Sequence, residues 1–132
     1  GFTEEFDWTG TRDPAPFLCF PAAADFMDRH GAEAVRTYNH ELVTAAAQMF
    51  AQRFGGTVAP VAMTASMALV PLPASLTATK EAALALRGQL LDQHNIEVAI
   101  VPWSGRLWAR LAAQIYCDMH DFTRLADAVA AS

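Results

Sequence analysis

The stretch IEVAIVPWSGRLWARLAAQIY, residues 96–116, has the clearest strand pattern in the chain. Ile96, Val98 and Ile100 alternate with their neighbours, and a period of two is typical of a β-strand. The pair Ser104-Gly105 then predicts a short turn, and the alternation resumes at Arg106. Beyond the turn, alternate residues fall into an apolar set and a largely polar set (Leu107, Ala109, Leu111, Ala113, Ile115 and Arg106, Trp108, Arg110, Gln114, Tyr116). This stretch therefore predicts two strands, joined by a turn, with an apolar face.

The segments on either side add a third strand and two helices. SMALVPL, residues 66–72, is short, apolar and bounded by prolines, which predicts a strand near a sheet edge. Thr79–Gln93 follows a helical period with one apolar side (Ala83, Leu84, Leu86, Leu90 and Leu91). A last helix is predicted with Asp121 as its N-cap and with three buried residues (Phe122, Leu125 and Val129).

The N-terminal part of the chain predicts two more helices. Asp13-Pro14 indicates a helix start with Asp13 as the N-cap, Pro21 a kink or split, and Gly31 the end. A second helix is predicted over about Ala32–Phe54, with one buried stripe (Val35, Tyr38, Leu42, Ala45 and Met49). The order α, α, β, α, β, β, α predicts an α+β fold, in which an antiparallel or mixed three-stranded sheet packs with four helices. We expect residues 1–132 to form a single domain.

Composition limits the classes of partner that the chain is expected to bind. The net charge is −5 and no run of Lys or Arg occurs, which argues against nucleic acid as a partner. No stretch approaches the roughly 20 apolar residues of a membrane span. Cys19 and Cys117 form no CxxC pair, so we expect a reducing, cytoplasmic setting. The hydrophobic content of 53% predicts a large apolar interface and hence self-association.

Motifs for catalysis or metal binding do not occur in the sequence. Neither GxxxxGK[ST] nor GxGxxG is present, and the four histidines are scattered. Cys117 and His120 are close in sequence, but two ligands do not make a zinc site. The single lysine, Lys80, lies in a polar helix start, whereas a Schiff-base lysine needs a desolvating pocket. We therefore assign no catalytic and no metal-ligating residue.

Two segments are candidates for ligand binding. In TGTRDP, residues 9–14, a Gly-Thr pair before a helix start offers a hydroxyl and backbone N–H groups to a phosphate. The alternative is a capped helix in which Thr11 or Asp13 serves only as the cap. In the last strand, Arg110 beside Trp108 is able to hold a carboxylate through two hydrogen bonds. The alternative there is a solvated arginine, or one that is paired with a nearby acid.

Five blocks, in this order, cover almost the whole chain: FDWTGTRDPAPFLCFPAAADFM, RTYNHELV, SMALVPLP, IEVAIV and RLAAQIY. On these blocks the chain resembles the C-terminal small domain of the class V aminotransferases, which are fold-type I enzymes dependent on pyridoxal phosphate. It is most similar to the isopenicillin-N epimerase-like branch, near the cysteine desulfurases. The resemblance implies that Gly10 and Thr11 contact the phosphate of the cofactor bound in the other subunit of a homodimer. It also implies that Arg110 binds the α-carboxylate of the substrate.

Two residues depart from the family pattern around the strand arginine. Ala112 stands where the family often has serine, and Cys117 stands where it often has asparagine. Arg106, which lies on the same face of the strand, is therefore the reserve candidate for the substrate-binding role implied for Arg110.

The resemblance also implies a larger parent enzyme. The lysine and the aspartate that such enzymes use with the cofactor lie upstream in a large domain, which would be this chain's partner within one polypeptide. Pyridoxal phosphate is expected in the full-length enzyme and not in this chain alone. The chain is expected to be a piece, inactive by itself, of an enzyme that epimerises, desulfurates or transaminates an amino acid or performs an elimination on it. The alternative is a stand-alone interaction or oligomerisation domain that kept the fold without the catalysis.

Overall fold

The first unit of the structure is built from short helices. A computed structural model describes residues 1–7 and 10–132, and the chain divides into two compact units, Gly1–Ala32 and Glu33–Ser132. The described part of the first unit contains α1 (Phe2–Asp7), α2 (Ala15–Leu18) and α3 (Phe20–His30). None of its described residues is buried. The helices of this unit therefore leave their apolar side chains accessible.

The predicted interruption of the first long helix is confirmed. It lies at Cys19, between α2 and α3, just before Pro21. Pro21 falls in the first turn of α3, where the missing N–H removes no helical hydrogen bond. Gly31 has a φ of 76° and ends α3, as predicted. The sequence pattern does not predict α1.

Residues 33–132 form two layers, a three-stranded sheet and the helices that pack on one of its faces. In chain order the elements are α4 (Ala32–Phe54), a short 3₁₀ helix (Val61–Met63), β1 (Met67–Pro71), α5 (Lys80–His94), β2 (Ala99–Trp103), β3 (Arg106–Ala112) and α6 (Met119–Ala130). The three strands are antiparallel and lie in the order β1-β3-β2. The α+β class, the three-stranded sheet and the edge position of β1 are therefore confirmed.

Ser104 and Gly105 form the turn between β2 and β3. Both have a positive φ, 49° and 74° respectively, as in the type I′ turn that matches the twist of two-residue hairpins. Ala99, the first residue of β2, pairs with Arg110 of β3. The alternation predicts a strand from Ile96, but β2 begins three residues later, at Ala99. The residues of β3 that follow Arg110 therefore have no partner in β2.

The sheet has one buried face and one open face. On the buried face, alternate residues of β1 and β3 pack against helices α4, α5 and α6 (Ala68, Val70, Leu107, Ala109 and Leu111 with Val43, Phe50, Leu86, Leu90, Phe122, Leu125 and Val129). The open face exposes further apolar residues (Met67, Leu69, Val101 and Trp103). Each edge strand contains one proline, Pro71 in β1 and Pro102 in β2. Because side chains alternate along a strand, Arg110 lies on the open face.

The stripe of α4 that packs into the core differs from the predicted one. It consists of Val35, Asn39, Val43, Ala46, Ala47 and Phe50. Tyr38 is 41% exposed and Ala45 is also exposed, so these two assignments were wrong. On α5, Leu84 and Leu91 are likewise exposed, whereas Ala83, Leu86 and Leu90 are buried as predicted. Both helices carry apolar residues on more than one face, so spacing alone does not select the face that packs.

The start of α6 is a second correction. Asp118 is the N-cap, and its carboxylate accepts the N–H groups of His120 at 2.7 Å and Asp121 at 3.4 Å. The Asp121 carboxylate accepts the Asp118 N–H at 3.1 Å. Asp121 is therefore the third helical residue of a capping box and not the N-cap. The three predicted buried residues of this helix (Phe122, Leu125 and Val129) are confirmed.

Candidate functional site

The Gly10-Thr11 segment lies in an exposed loop of the first unit. Trp8 and Thr9, which precede it, lie outside the described residues. Gly10 has a φ of 89°, and a Cβ added to it would meet no atom of the described residues within 4 Å. The Asp13 carboxylate, not Thr11, accepts the Ala15 N–H at 2.9 Å, although Pro14 occupies the N-cap position of α2. The prediction of Asp13 as the N-cap is therefore wrong by one residue, because Pro14 holds that position and Asp13, just before it, accepts the Ala15 N–H. No hydrogen bond to the Thr11 hydroxyl occurs among the described residues.

Arg110 lies in the middle of the open face of the sheet. Its neighbours across the strands are Leu69 of β1 and Ala99 of β2. The alternative of a pairing with a nearby acid is not observed. Of the ion pairs formed within residues 1–7 and 10–132, none includes Arg110. The guanidinium is therefore a cation held on a largely apolar surface.

Arg106, the reserve candidate, has a different environment. Its Nε donates to the Leu72 carbonyl at 2.6 Å, and its Nη2 donates to the Phe54 carbonyl at 2.7 Å. Phe54 is the last residue of α4, and Leu72 directly follows β1. Arg106 thus joins a helix end to a strand end. The structure therefore favours Arg110 over Arg106 as the arginine that can receive a ligand.

A cleft of about 670 Å³ opens beside Arg110, where the chain before β2 separates from the end of β3. Leu111, Phe122 and Leu125 contribute apolar surface to its lining. Three further charged residues (Arg87, Glu97 and Asp121) also line it. Arg87 and Glu97 form an ion pair of 2.8 Å, and Asp121 accepts a backbone hydrogen bond in the capping box. Arg110 is therefore the cation of this cleft that has no partner among the described residues.

The backbone of Ala112 adds a hydrogen-bond donor to the same cleft. The Ala113 N–H donates to the Ser66 carbonyl at 2.8 Å, on the β1 side of β3. Because polar groups of successive strand residues point in opposite directions, the N–H of Ala112 points to the cleft side. A guanidinium and a backbone N–H at one cleft suit an anion such as a carboxylate. The identity of Ala112 in the sequence does not predict this donor, since a backbone N–H leaves no signal in side-chain identity.

The described residues contain neither a cluster of metal ligands nor a membrane-spanning helix. Within them, no group of three or more His, Cys, Asp or Glu residues is close enough to hold a metal ion. Likewise, no helix in residues 1–7 and 10–132 is long and apolar enough to cross a membrane. Cys19 and Cys117 are free thiols, the first exposed and the second half-buried.

Two curated proteins are similar to this chain along nearly its whole length. One, from Oryza sativa subsp. japonica, is described as "Putative L-cysteine desulfhydrase 1" and is 30% identical over 98% of this chain. The other is the isopenicillin N epimerase of Streptomyces clavuligerus, which is 30% identical over 91% of this chain. No family model matches the chain. The chain spans about a third of the length of these relatives, 31% of the first and 30% of the second.

These similarities agree with the blocks described in the sequence. Both relatives are, by name, enzymes of the class V aminotransferase-like group that these blocks resemble. They differ in the reaction that their names state, so the shared property is the family and not one activity. The chain is therefore similar to one part, about a third of the length, of two class V aminotransferase-like enzymes.

Proposed function

We propose that this chain serves as the substrate-carboxylate-binding part of a pyridoxal-phosphate-dependent enzyme that acts on an amino acid. The observation that carries the proposal is the position of Arg110, an arginine without a partner among the described residues, in the lining of a cleft. Isopenicillin N epimerase and L-cysteine desulfhydrase, the names of the two relatives, both refer to reactions of amino-acid compounds. The upstream large domain and a second subunit are the partners that this role requires.

Arg110 binds the α-carboxylate in this proposal. Its planar guanidinium forms two parallel hydrogen bonds with the carboxylate oxygens, which fixes the plane of the carboxylate as well as its position. Leu69 and Trp108 lie beside it on the open face, and apolar neighbours strengthen an ion pair by excluding water. The N–H of Ala112 provides a further donor on the cleft side. The amino acid is thereby oriented for the chemistry at its α-carbon.

Gly10 and Thr11 bind the cofactor phosphate of the opposite subunit in this proposal. The loop fits that role, because Gly10 has a positive φ and open surroundings, and Thr11 is exposed. The backbone at Gly10 can therefore approach a phosphate closely, and the Thr11 hydroxyl can donate to it. The α2 helix that follows has only four residues, so its dipole adds little. Pyridoxal phosphate, when bound, supplies the electron sink for reactions at the α-carbon.

The chain does not catalyse the reaction alone in this proposal. Lys80 is its single lysine, and it is exposed at the first position of α5. An exposed lysine lacks the desolvating pocket that a Schiff-base lysine needs. The catalytic lysine is therefore supplied by the large domain.

The proposal is tested in the longest reading frame that contains this chain, expressed with pyridoxal phosphate and assayed with a panel of amino acids. Arg110→Lys keeps the charge and loses the paired hydrogen bonds, so KM should rise by roughly tenfold or more while kcat changes less. Arg36→Lys, an exposed arginine paired with Glu33, is the matched control and should leave KM unchanged. An unchanged KM in the Arg110 variant would refute the assignment.

The phosphate contact has its own test in the same enzyme. Thr11→Ala should weaken pyridoxal phosphate binding by about tenfold, because a hydrogen bond to a charged group is lost. Pyridoxal, which lacks the phosphate, should bind the variant and the parent equally. Thr57→Ala, at another exposed threonine, is the matched control. Equal weakening for both compounds would show that Thr11 does not contact the phosphate.

A second candidate function is a stand-alone interaction or oligomerisation domain. Exposed apolar residues in the first unit favour it, among them Phe17, Leu18 and Phe20. A reading frame that encodes no upstream lysine-bearing domain would support this candidate. A full-length protein that self-associates through these residues and shows no activity on any amino acid would also support it.

A further inference from the structure

The connection between β3 and α6, residues 113–118, forms part of the wall of the cleft beside Arg110. Cys117 lies in this connection, and Asp121 lies in the first turn of the helix that follows. Both residues line the cleft together with Arg110. The position of the connection therefore determines the shape of the space in front of the guanidinium.

Two consecutive residues of α4 hold this connection from the side. The Tyr38 hydroxyl donates to the Cys117 carbonyl at 2.7 Å. The Asn39 Nδ2 donates to the Gln114 Oε1 at 3.1 Å. Among the described residues, these are the side-chain hydrogen bonds that reach residues 114–117 from another element. The α4 helix thus contacts Gln114 and Cys117, the two ends of the turn within the connection.

The connection is also closed within itself. The Cys117 N–H donates to the Gln114 carbonyl at 2.7 Å, and the Ile115 N–H donates to the Gln114 Oε1 at 2.8 Å. Gln114 therefore receives hydrogen bonds from both Asn39 and its own neighbour. A displacement of Gln114 or Cys117 would move the turn as one body, because internal hydrogen bonds join its two ends.

Asn39 is an unusual residue for its position. It is 6% exposed and lies in the packed stripe of α4 between Val35 and Val43. Its Oδ1 has no hydrogen-bond partner among the described residues. A buried acceptor without a partner lowers stability, and an apolar residue of similar shape would avoid that cost. The advantage of asparagine here is therefore the contact with Gln114 rather than core stability.

We propose that Tyr38 and Asn39 are positioning residues that fix the residue 113–118 connection, and with it the Cys117 wall of the cleft, relative to Arg110. The inference rests on the proposed function of Arg110 as the carboxylate contact. It goes beyond that function by assigning the shape of the binding space to α4. A loosened wall leaves the guanidinium in place but lets the bound amino acid adopt several orientations, which weakens its binding.

The reactivity of the Cys117 thiol tests the contact directly. Cys19→Ser removes the other cysteine, so the rate of N-ethylmaleimide labelling in this background reports on Cys117 alone. Tyr38→Phe keeps the ring and removes the hydroxyl, and labelling should become about fivefold faster because the connection opens locally. Tyr116→Phe is the matched control: Tyr116 is 85% exposed, and its hydroxyl forms no hydrogen bond with the described residues. Labelling of the control should match the background.

Asn39→Leu separates a positioning role from a purely structural one. The melting temperature should stay equal or rise, because the unpaired acceptor is removed, while Cys117 labelling becomes faster. A lower melting temperature with unchanged labelling would mean that Asn39 only supports the core, and would overturn its part of the proposal.

Two results would overturn the proposal as a whole. The first is Cys117 labelling in the Tyr38→Phe variant that stays within about twofold of the background. The second is faster labelling with an unchanged KM for the amino acid in the longer enzyme, which would break the link to Arg110. If Arg110→Lys leaves KM unchanged, the proposed function of Arg110 fails, and labelling of the Tyr38 variant still reports whether α4 holds the connection. The two failures are therefore distinguishable.

Discussion

Arg106 and Arg110 lie on the same face of β3, but of the two guanidinium groups only that of Arg106 has hydrogen-bond partners among the described residues. Arg106 donates to the backbone carbonyls of Phe54 and Leu72, at 2.7 and 2.6 Å, and is half-buried. Arg110 is exposed, and no described residue pairs with it. The same residue type therefore supports the fold at one position and remains available to a ligand at the other.

Replacement of each arginine by alanine should separate these roles. Arg106→Ala should lower the free energy of unfolding by about 2–3 kcal/mol, because two partly buried carbonyls lose a charged donor. Arg110→Ala should change it by no more than about 0.5 kcal/mol, as is usual for an exposed side chain. Urea denaturation followed by circular dichroism measures both values. Equal losses in the two variants would contradict the different roles.

Gly56 should be intolerant of a side chain because of Arg106. A Cβ at Gly56 would lie 2.8 Å from the Arg106 Nη1, and Gly56 has a φ of 112°. Gly56→Ala should therefore cost about 2–3 kcal/mol, more than Gly55→Ala, whose Cβ would meet no atom within 4 Å. In an Arg106→Ala background the cost at Gly56 should fall, since the clash is removed. A double-mutant cycle with no coupling between the two sites would contradict this explanation.

The capping box of α6 gives a third prediction. Asp118→Ala should lower stability by about 1 kcal/mol, because two N–H groups of the first turn lose their acceptor. Asp118→Ser should recover most of the loss, since serine is also a good N-cap. Thermal unfolding of the three proteins measures the difference. A serine variant as unstable as the alanine variant would show that the charge, and not the cap, matters.

The exposed apolar residues of the first unit predict self-association of the chain. Phe17, Leu18 and Phe20 are 71%, 75% and 72% exposed, and exposed apolar clusters of this kind mark interaction surfaces. The double variant Phe17→Ser, Phe20→Ser should shift sedimentation profiles at high concentration towards the monomer. Leu84→Ser, at a single exposed leucine of α5, is the control and should have little effect. A parent chain that sediments as a clean monomer would contradict the prediction.

Local patterns in the sequence were sufficient for most elements, and long-range contacts decided the rest. Alternation and the Ser104-Gly105 pair predicted β2, its turn and β3, because both signals depend on neighbouring residues. Which face of α4 packs depends on the sheet and on α6, so the apolar spacing that included Tyr38 indicated the wrong stripe. The site shows the same limit. Arg106 and Arg110 are equivalent in an alternating pattern, and only the distant carbonyl of Phe54 and that of Leu72 distinguish them.

The prolines of the two edge strands affect how copies of this protein can meet. The Leu72 N–H donates to the Leu107 carbonyl, so the backbone hydrogen bonds of Leu107 go to β1. Pro102 of β2 lies opposite Leu107 and forms no hydrogen bond with it, so the Pro102 nitrogen lies at the outer edge of β2. By the same alternation, the nitrogen of Pro71, opposite Trp108, lies at the outer edge of β1. Each edge thus lacks a donor that an added strand would need. Growth of the sheet from one molecule into the next is hindered on both sides, and contacts between copies are directed to side-chain surfaces.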